Sequence, residues 1–204
     1  MPLKLKELKK VRKLKNLAEN GCADSQNKLG NIYIKGDGVA KDESMAVNWY
    51  REAAEQGYAP AQCNLGFMYC NGKGVAQDYS AAMKWYRLAA DQGLAAAQQN
   101  LGVMYDKGWG VAQDYSAAMK WCRMAADQGD VQAQYNVGIM YSKGHGVAQD
   151  YLAAMKWYRM AADQGHAQAQ CFLGVMYGKG QGVAQDNSTA IKWLQMAADQ
   201  GYAQ

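Results

Sequence analysis

Along residues 57–92 the apolar positions fall at helical spacing twice, with a polar, glycine-rich break between the two stretches. Leu65, Met68 and Tyr69 share one face of the first stretch, Ala59 to Cys70. Ala82, Trp85, Ala89 and Ala90 form a packing stripe on the second, Tyr79 to Asp91; both read as amphipathic helices. Between them, Asn71-Gly72-Lys73-Gly74 ends the first helix, since glycine readily adopts the left-handed conformation of a helix C-cap. Pro60 falls in a first turn, where a missing N–H costs nothing, and Asp78 is placed to cap the second helix. Gly93 stops that helix and begins the next copy of the pattern. No strand-like alternation is sustained anywhere, so the spacing predicts an all-α chain of helix–turn–helix units.

The same pattern recurs every 36 residues: Gly-Val-Ala-Gln-Asp stands at 74–78, 110–114, 146–150 and 182–186, and Gly-Val-Ala-Lys-Asp at 38–42. The 204 residues divide into a leader, 1–20, five units, 21–56, 57–92, 93–128, 129–164 and 165–200, and the opening of a further unit, 201–204. A fixed period of this size marks a solenoid or array, in which no unit buries its apolar face without its neighbours. Gly66, Gly102, Gly138 and Gly174 lie inside first helices at a cost of about 1 kcal/mol each in propensity. Close approach of another helix is the expected compensation.

Composition follows from the repeat: 21 of 22 glycines, all but Gly178, and five of six tryptophans occupy repeated positions. Net charge is +4, too small alone to argue for a nucleic-acid partner. The excess is concentrated in residues 1–20, at +5. That leader reads as an amphipathic capping helix, with Leu8, Val11, Leu14 and Leu17 turned to the first unit and Lys9 and Lys13 outward. The alternative is an electrostatic contact with nucleic acid or an anionic membrane, though no aromatic residue interleaves the bases. No run of 18 apolar residues exists, so no membrane-spanning helix is expected. A cytoplasmic setting is expected; a signal peptide replaced by a new start would leave the same reading.

The series Ala61-Gln62-x-x-Leu65-Gly66-x-x-Tyr69, Gly72-x-Gly74-Val75-x-x-Asp78 and Ala82-x-x-Trp85-Tyr86-x-x-Ala89-Ala90-x-Gln92-Gly93 resembles the Sel-1-like repeat, a relative of the tetratricopeptide repeat. The first unit departs most, with Ser25, Asn31, Ile32 and Glu43 where later units have alanine, an apolar residue, methionine and mostly tyrosine. The resemblance implies a right-handed α/α superhelical solenoid acting as a non-enzymatic adaptor or scaffold, in bacteria associated with signalling, secretion and host interaction. A cysteine-rich branch with one disulfide per repeat is linked to β-lactam binding. The cysteines here, Cys22, Cys63, Cys70, Cys122 and Cys171, do not recur once per unit, which disfavours a β-lactam-hydrolysing reading.

By the same resemblance, first-helix residues line a concave groove for a protein or peptide partner. They give an apolar ladder, Phe67, Val103, Ile139 and Val175, with Gln99, Asp106 and Tyr135 beside it and lysines Lys35, Lys107, Lys143 and Lys179 along one side. Such a ladder suits a peptide with apolar anchors; it equally suits packing against the neighbouring unit. Tyr135 stands out as a large amphipathic aromatic among smaller equivalents, as interface anchors do. Trp109 lies on a loop between two glycines and serves either as a contact point or as packing on a neighbouring loop.

No phosphate loop, dinucleotide fingerprint, HExxH or Ser/His/Asp set occurs, so no enzyme, cofactor or metal is expected. His145 and His166 read as surface residues, and the cysteines as reduced thiols. Ile191, Trp193 and Leu194 on the last helix are expected to lack a covering neighbour, which raises self-association, a partner or truncation at that end.

Overall fold

The computed structural model describes the backbone of residues 2–202 and the side chains of residues 11–202. Among the described residues there are eleven α-helices and no strands: α1 (Pro2–Glu19), α2 (Ala23–Lys35), α3 (Glu43–Glu55), α4 (Ala59–Asn71), α5 (Tyr79–Asp91), α6 (Ala95–Lys107), α7 (Tyr115–Asp127), α8 (Val131–Lys143), α9 (Tyr151–Asp163), α10 (Ala167–Lys179) and α11 (Asn187–Asp199). After the leader, each 36-residue unit contributes one helix pair.

The repeated aspartates are the reason the second helices start where they do. Asp42, Asp78 and Asp150 accept hydrogen bonds from the backbone N–H groups of Met45, Ala81 and Ala153, each at 2.9 Å. Asp114 and Asp186 each take two such bonds. Donors that a helix N-terminus leaves unpaired are thereby satisfied. Hydrogen bonds from Thr189 and Ser188 hold the Asp186 carboxyl down at about 2. The first helices end in left-handed glycines, as at Gly72, whose φ of 64° a side chain would strain.

The chain forms two compact units, residues 1–97 with 109–111, and residues 98–108 with 112–204. In the first, Ala46, Val47, Tyr50, Ala53 and Ala54 of α3 pack with Ala61, Leu65 and Met68 of α4. In the second, Tyr135 of α8, Ala154, Tyr158 and Ala161 of α9, Leu173 and Met176 of α10 and Trp193 of α11 make one core. Alanine at most second-helix core positions allows helices to meet over small side chains.

The mid-helix glycines have the expected role. A Cβ built on Gly66 would stand 2.8 Å from Tyr86, one on Gly138 2.6 Å from Tyr158, and one on Gly30 2.5 Å from Tyr50. Each tyrosine of the second helix thus lies directly on its partner glycine. Here the structure corrects the sequence reading of α5: Tyr86 fills the helix seam, while Trp85 is only half-buried.

A polar ladder links successive helices and was not anticipated from the sequence. Gln26, Gln62, Gln98, Gln134 and Gln170 are all buried. Gln62 Nε2 donates to the Ala54 carbonyl of the preceding α3 at 3.1 Å, and its Oε1 accepts from Gln92 at the end of α5 at 2.8 Å. Gln26, Gln134 and Gln170 repeat the arrangement. Each amide therefore offers donor and acceptor to different helices, satisfying groups that burial would otherwise penalise.

Candidate functional site

The tyrosine that rests on the glycine is not present in every unit. Its position holds Tyr50, Tyr86, Cys122, Tyr158 and Leu194 in turn. Cys122 of α7 is 2% exposed, and its sulfur is far smaller than a phenol ring. Over it opens a hollow of about 470 Å³ between α6, α7 and α8. Gln99, Gly102, Val103 and Asp106 of α6 line one side, and Asn136, Ile139 and Lys143 of α8 the other.

One repeat later, the equivalent space is full. Tyr158 lies on Gly138, its hydroxyl is 3.3 Å from Ser142 Oγ, and its ring stacks on Phe172 and tilts against Tyr135. Thirty-six residues earlier, those neighbours are Gly102, Asp106, Asn136 and Gln99, all of which line the hollow. Smaller and more polar side chains thus surround a space from which the ring has been removed. Burial pushes the Cys122 thiol up to about 12, helped by the carboxylates of Asp106 and Asp130. A thiol so held is a structural group rather than a nucleophile.

At the rim, Asp106 Oδ2 takes an ion pair from Lys107 at 3.0 Å, and Oδ1 stands 4.0 Å from His145 Nδ1. His145 is fixed by stacking on Tyr115 with centroids 4.2 Å apart. The hollow therefore combines an apolar wall, amides and one anchored carboxylate.

Of the site residues expected from the sequence, Gln99, Val103, Asp106 and Ile139 come together here. Val175, on α10 of the same unit, is exposed but does not line the hollow. Phe67 belongs to the first unit, 44% exposed, with Lys73 Nζ 5.2 Å above its ring. Tyr135 departs from the expectation of an open anchor: it is only 8% exposed. The His166 ring stacks on it at 4.6 Å and Phe172 and Tyr158 cover other parts, so it is core. Trp109 stacks on Tyr79 at the start of α5, at 5.2 Å and 16°, and stays 38% exposed.

His166 is likewise more than a surface group. It caps α10, its Nδ1 accepting from the Ala169 N–H at 3.2 Å, and Nε2 lies 3.2 Å from Gln132 Oε1. Burial lowers its pKa. No disulfide joins any of the five cysteines, and among the described residues no cluster suited to a metal ion occurs.

In α1, Val11 and Leu14 are half-buried and Ala18 fully so, but Leu17 is exposed, contrary to the expected inward stripe. The helical register gives that contact to Ala18 instead. Leu8 and Lys9, and the tail residues Ala203 and Gln204, lie outside the residues whose side chains are described. At the other end, Trp193 is buried, with Arg159 stacked 4.9 Å over its ring, while Ile191 is 65% exposed and Leu194 partly so. The expectation of an uncovered last helix therefore fits Ile191 and not Trp193. No described helix is long and apolar enough to cross a membrane.

Comparison with known proteins assigns this architecture. The Sel1 repeat matches residues 23–58, 59–94, 95–130, 131–166 and 167–202. A protective antigen present in uropathogenic Escherichia coli strains, displaying an SLR fold, is 45% identical with a TM-score of 0.89 over 94% of this chain. This chain spans 41% of that protein's length. A Sel1 repeat protein from Oxalobacter formigenes is 39% identical, with a TM-score of 0.85 over 89% of this chain and 72% of its own. An immunity protein from Pseudomonas aeruginosa, 22% identical with a TM-score of 0.61 over 93% of this chain and 72% of its own, shares the fold. A search of curated protein sequences returned no match. With its 36-residue helix pairs, capping aspartates and glycine-seated seams, the chain belongs to the Sel1 repeat family, whose members are typically non-enzymatic scaffolds for protein–protein interaction.

Proposed function

We propose that this chain is a non-enzymatic adaptor that captures a protein partner on the first-helix face of α6 and α8. The hollow over Cys122 carries the reading. It is an indentation with an apolar wall and a few placed polar groups, the usual character of a recognition site. It also gathers four residues that the resemblance to tetratricopeptide-like proteins assigns to partner contact, Gln99, Val103, Asp106 and Ile139. Half-buried Val103 and Ile139 would supply apolar anchoring area, and Asp106 with Lys107 and Lys143 would fix register by charge. Among the settings open to such an adaptor, host interaction accords best with its likeness to a protective antigen, ahead of signalling or secretion.

Affinity capture with the wild-type chain and a Val103→Asp/Ile139→Asp variant tests this. Proteins retained by the wild type should be lost by a variant of unchanged helicity. The same proteins retained by both would reject the assignment of this face.

A further inference from the structure

We propose that the hollow over Cys122 is a receptor for a tyrosine side chain presented by the partner protein. The chain's own repetition points to this occupant. In three of five units a tyrosine, Tyr50, Tyr86 or Tyr158, packs on the central glycine of the preceding helix. In the unit of Cys122 the glycine, Gly102, is retained and the ring is absent. The space is also not closed by larger neighbours: where Tyr158 meets Tyr135 and Phe172, the hollow has Gln99 and Asn136.

Size and polarity agree. An apolar cavity of about 150 Å³ admits a benzene molecule, and this hollow measures about 470 Å³. The position that pairs with the Tyr158 hydroxyl, Ser142, is Asp106 here. A phenol O–H entering the hollow in the same sense would donate to the Asp106 carboxylate, a hydrogen bond strengthened by its charge. Glutamine and asparagine amides at Gln99 and Asn136 would meet the backbone of the inserting segment, as rim groups do. The hollow is thus a socket of the kind the fold fills internally elsewhere, left for a ring from outside.

The inference rests on the adaptor reading of this face, and a calorimetric titration separates the two. The probes are N-acetyl-L-tyrosinamide, N-acetyl-L-phenylalaninamide and p-cresol, against the full chain and its Cys122→Tyr and Cys122→Phe variants. Wild type should bind the tyrosine amide saturably, and the phenylalanine amide about tenfold more weakly for want of the charged hydrogen bond. Both filled variants, with circular dichroism unchanged, should lose the site. Absence of saturable binding by the wild type, or binding by Cys122→Tyr and Cys122→Phe as tight as that of the wild type, overturns the proposal. Binding of p-cresol without the tyrosine amide also overturns it, because the occupant would then be a free phenol. Partner capture that persists when tyrosine amide does not bind would leave the adaptor standing and reject the socket; the reverse result would keep the socket and reject the adaptor.

Discussion

Replacing Gly138 by alanine tests whether the helix seams are as close as the structure places them. Gly138 is in the middle of α8, and a Cβ there would stand 2.6 Å from both Cδ1 and Cε1 of Tyr158 and 3.1 Å from its Cγ. Relaxed carbon contacts lie at about 3.5–4.0 Å. Tyr158 is wholly buried and held among Ser142, Tyr135 and Phe172, so the ring has nowhere to withdraw. Alanine should gain about 1 kcal/mol in helix propensity and lose about 1–3 kcal/mol to overpacking. The expected balance is a destabilisation of about 1 kcal/mol, or about 2–4 °C in Tm for a chain of this length. Gly178→Ala is the control: its Cβ would meet only Ala190 at 3.7 Å, an ordinary contact. That variant should be stabilised by about 0.5–1 kcal/mol. Urea unfolding followed by circular dichroism measures both. Equal stabilisation by the two substitutions would refute the close seam at Gly138.

Other consequences are as direct. Gln134→Met should cost about 1–3 kcal/mol in thermal or urea unfolding, because it strips partners from the Ala126 carbonyl and Gln164 amide; an unchanged midpoint would remove the ladder from the account. Asp78→Ala should cost about 1 kcal/mol through loss of the α5 cap, with Asp78→Asn largely sparing it in the same assay. Burial holds the folded pKa of His166 below its ordinary value of 6.5. Its contribution to stability is therefore complete above 6.5 and lost as pH falls through the depressed folded value. Unfolding midpoints across that range should show the loss in wild type and a smaller one in His166→Asn, and identical profiles would contradict the capping role of neutral His166.

Much of the fold was legible because the chain states it five times. Gly-Val-Ala-Gln-Asp contains its own punctuation: glycine for the left-handed exit and aspartate for the next cap. The seam glycines were legible for a related reason, since a costly residue repeated mid-helix requires compensation. Which aromatic filled the seam was not, because Trp85 and Tyr86 are adjacent and a helical stripe wide enough for one nearly includes the other. The buried glutamines were hidden by their polarity. Only their 30-residue pairing, Gln62 with Gln92 for example, shows why burial is tolerated. Tyr135 reads as an open anchor in its own unit because its cover comes from His166 and Phe172, one unit further along. The hollow did have a signal in the sequence: one cysteine, Cys122, in a column otherwise held by tyrosine and leucine. Read as a thiol, it concealed what matters, which is the volume that it leaves empty.

The central claim is that partner contact falls on the α6 and α8 face around the hollow. Methyl chemical-shift mapping of the wild-type chain with a protein recovered by affinity capture tests it most directly. The Val103 and Ile139 methyl signals should move, with those of Leu14, Leu17 and Ile191 unchanged. Stationary Val103 and Ile139 signals, with shifts confined to α1 or α11, would contradict it.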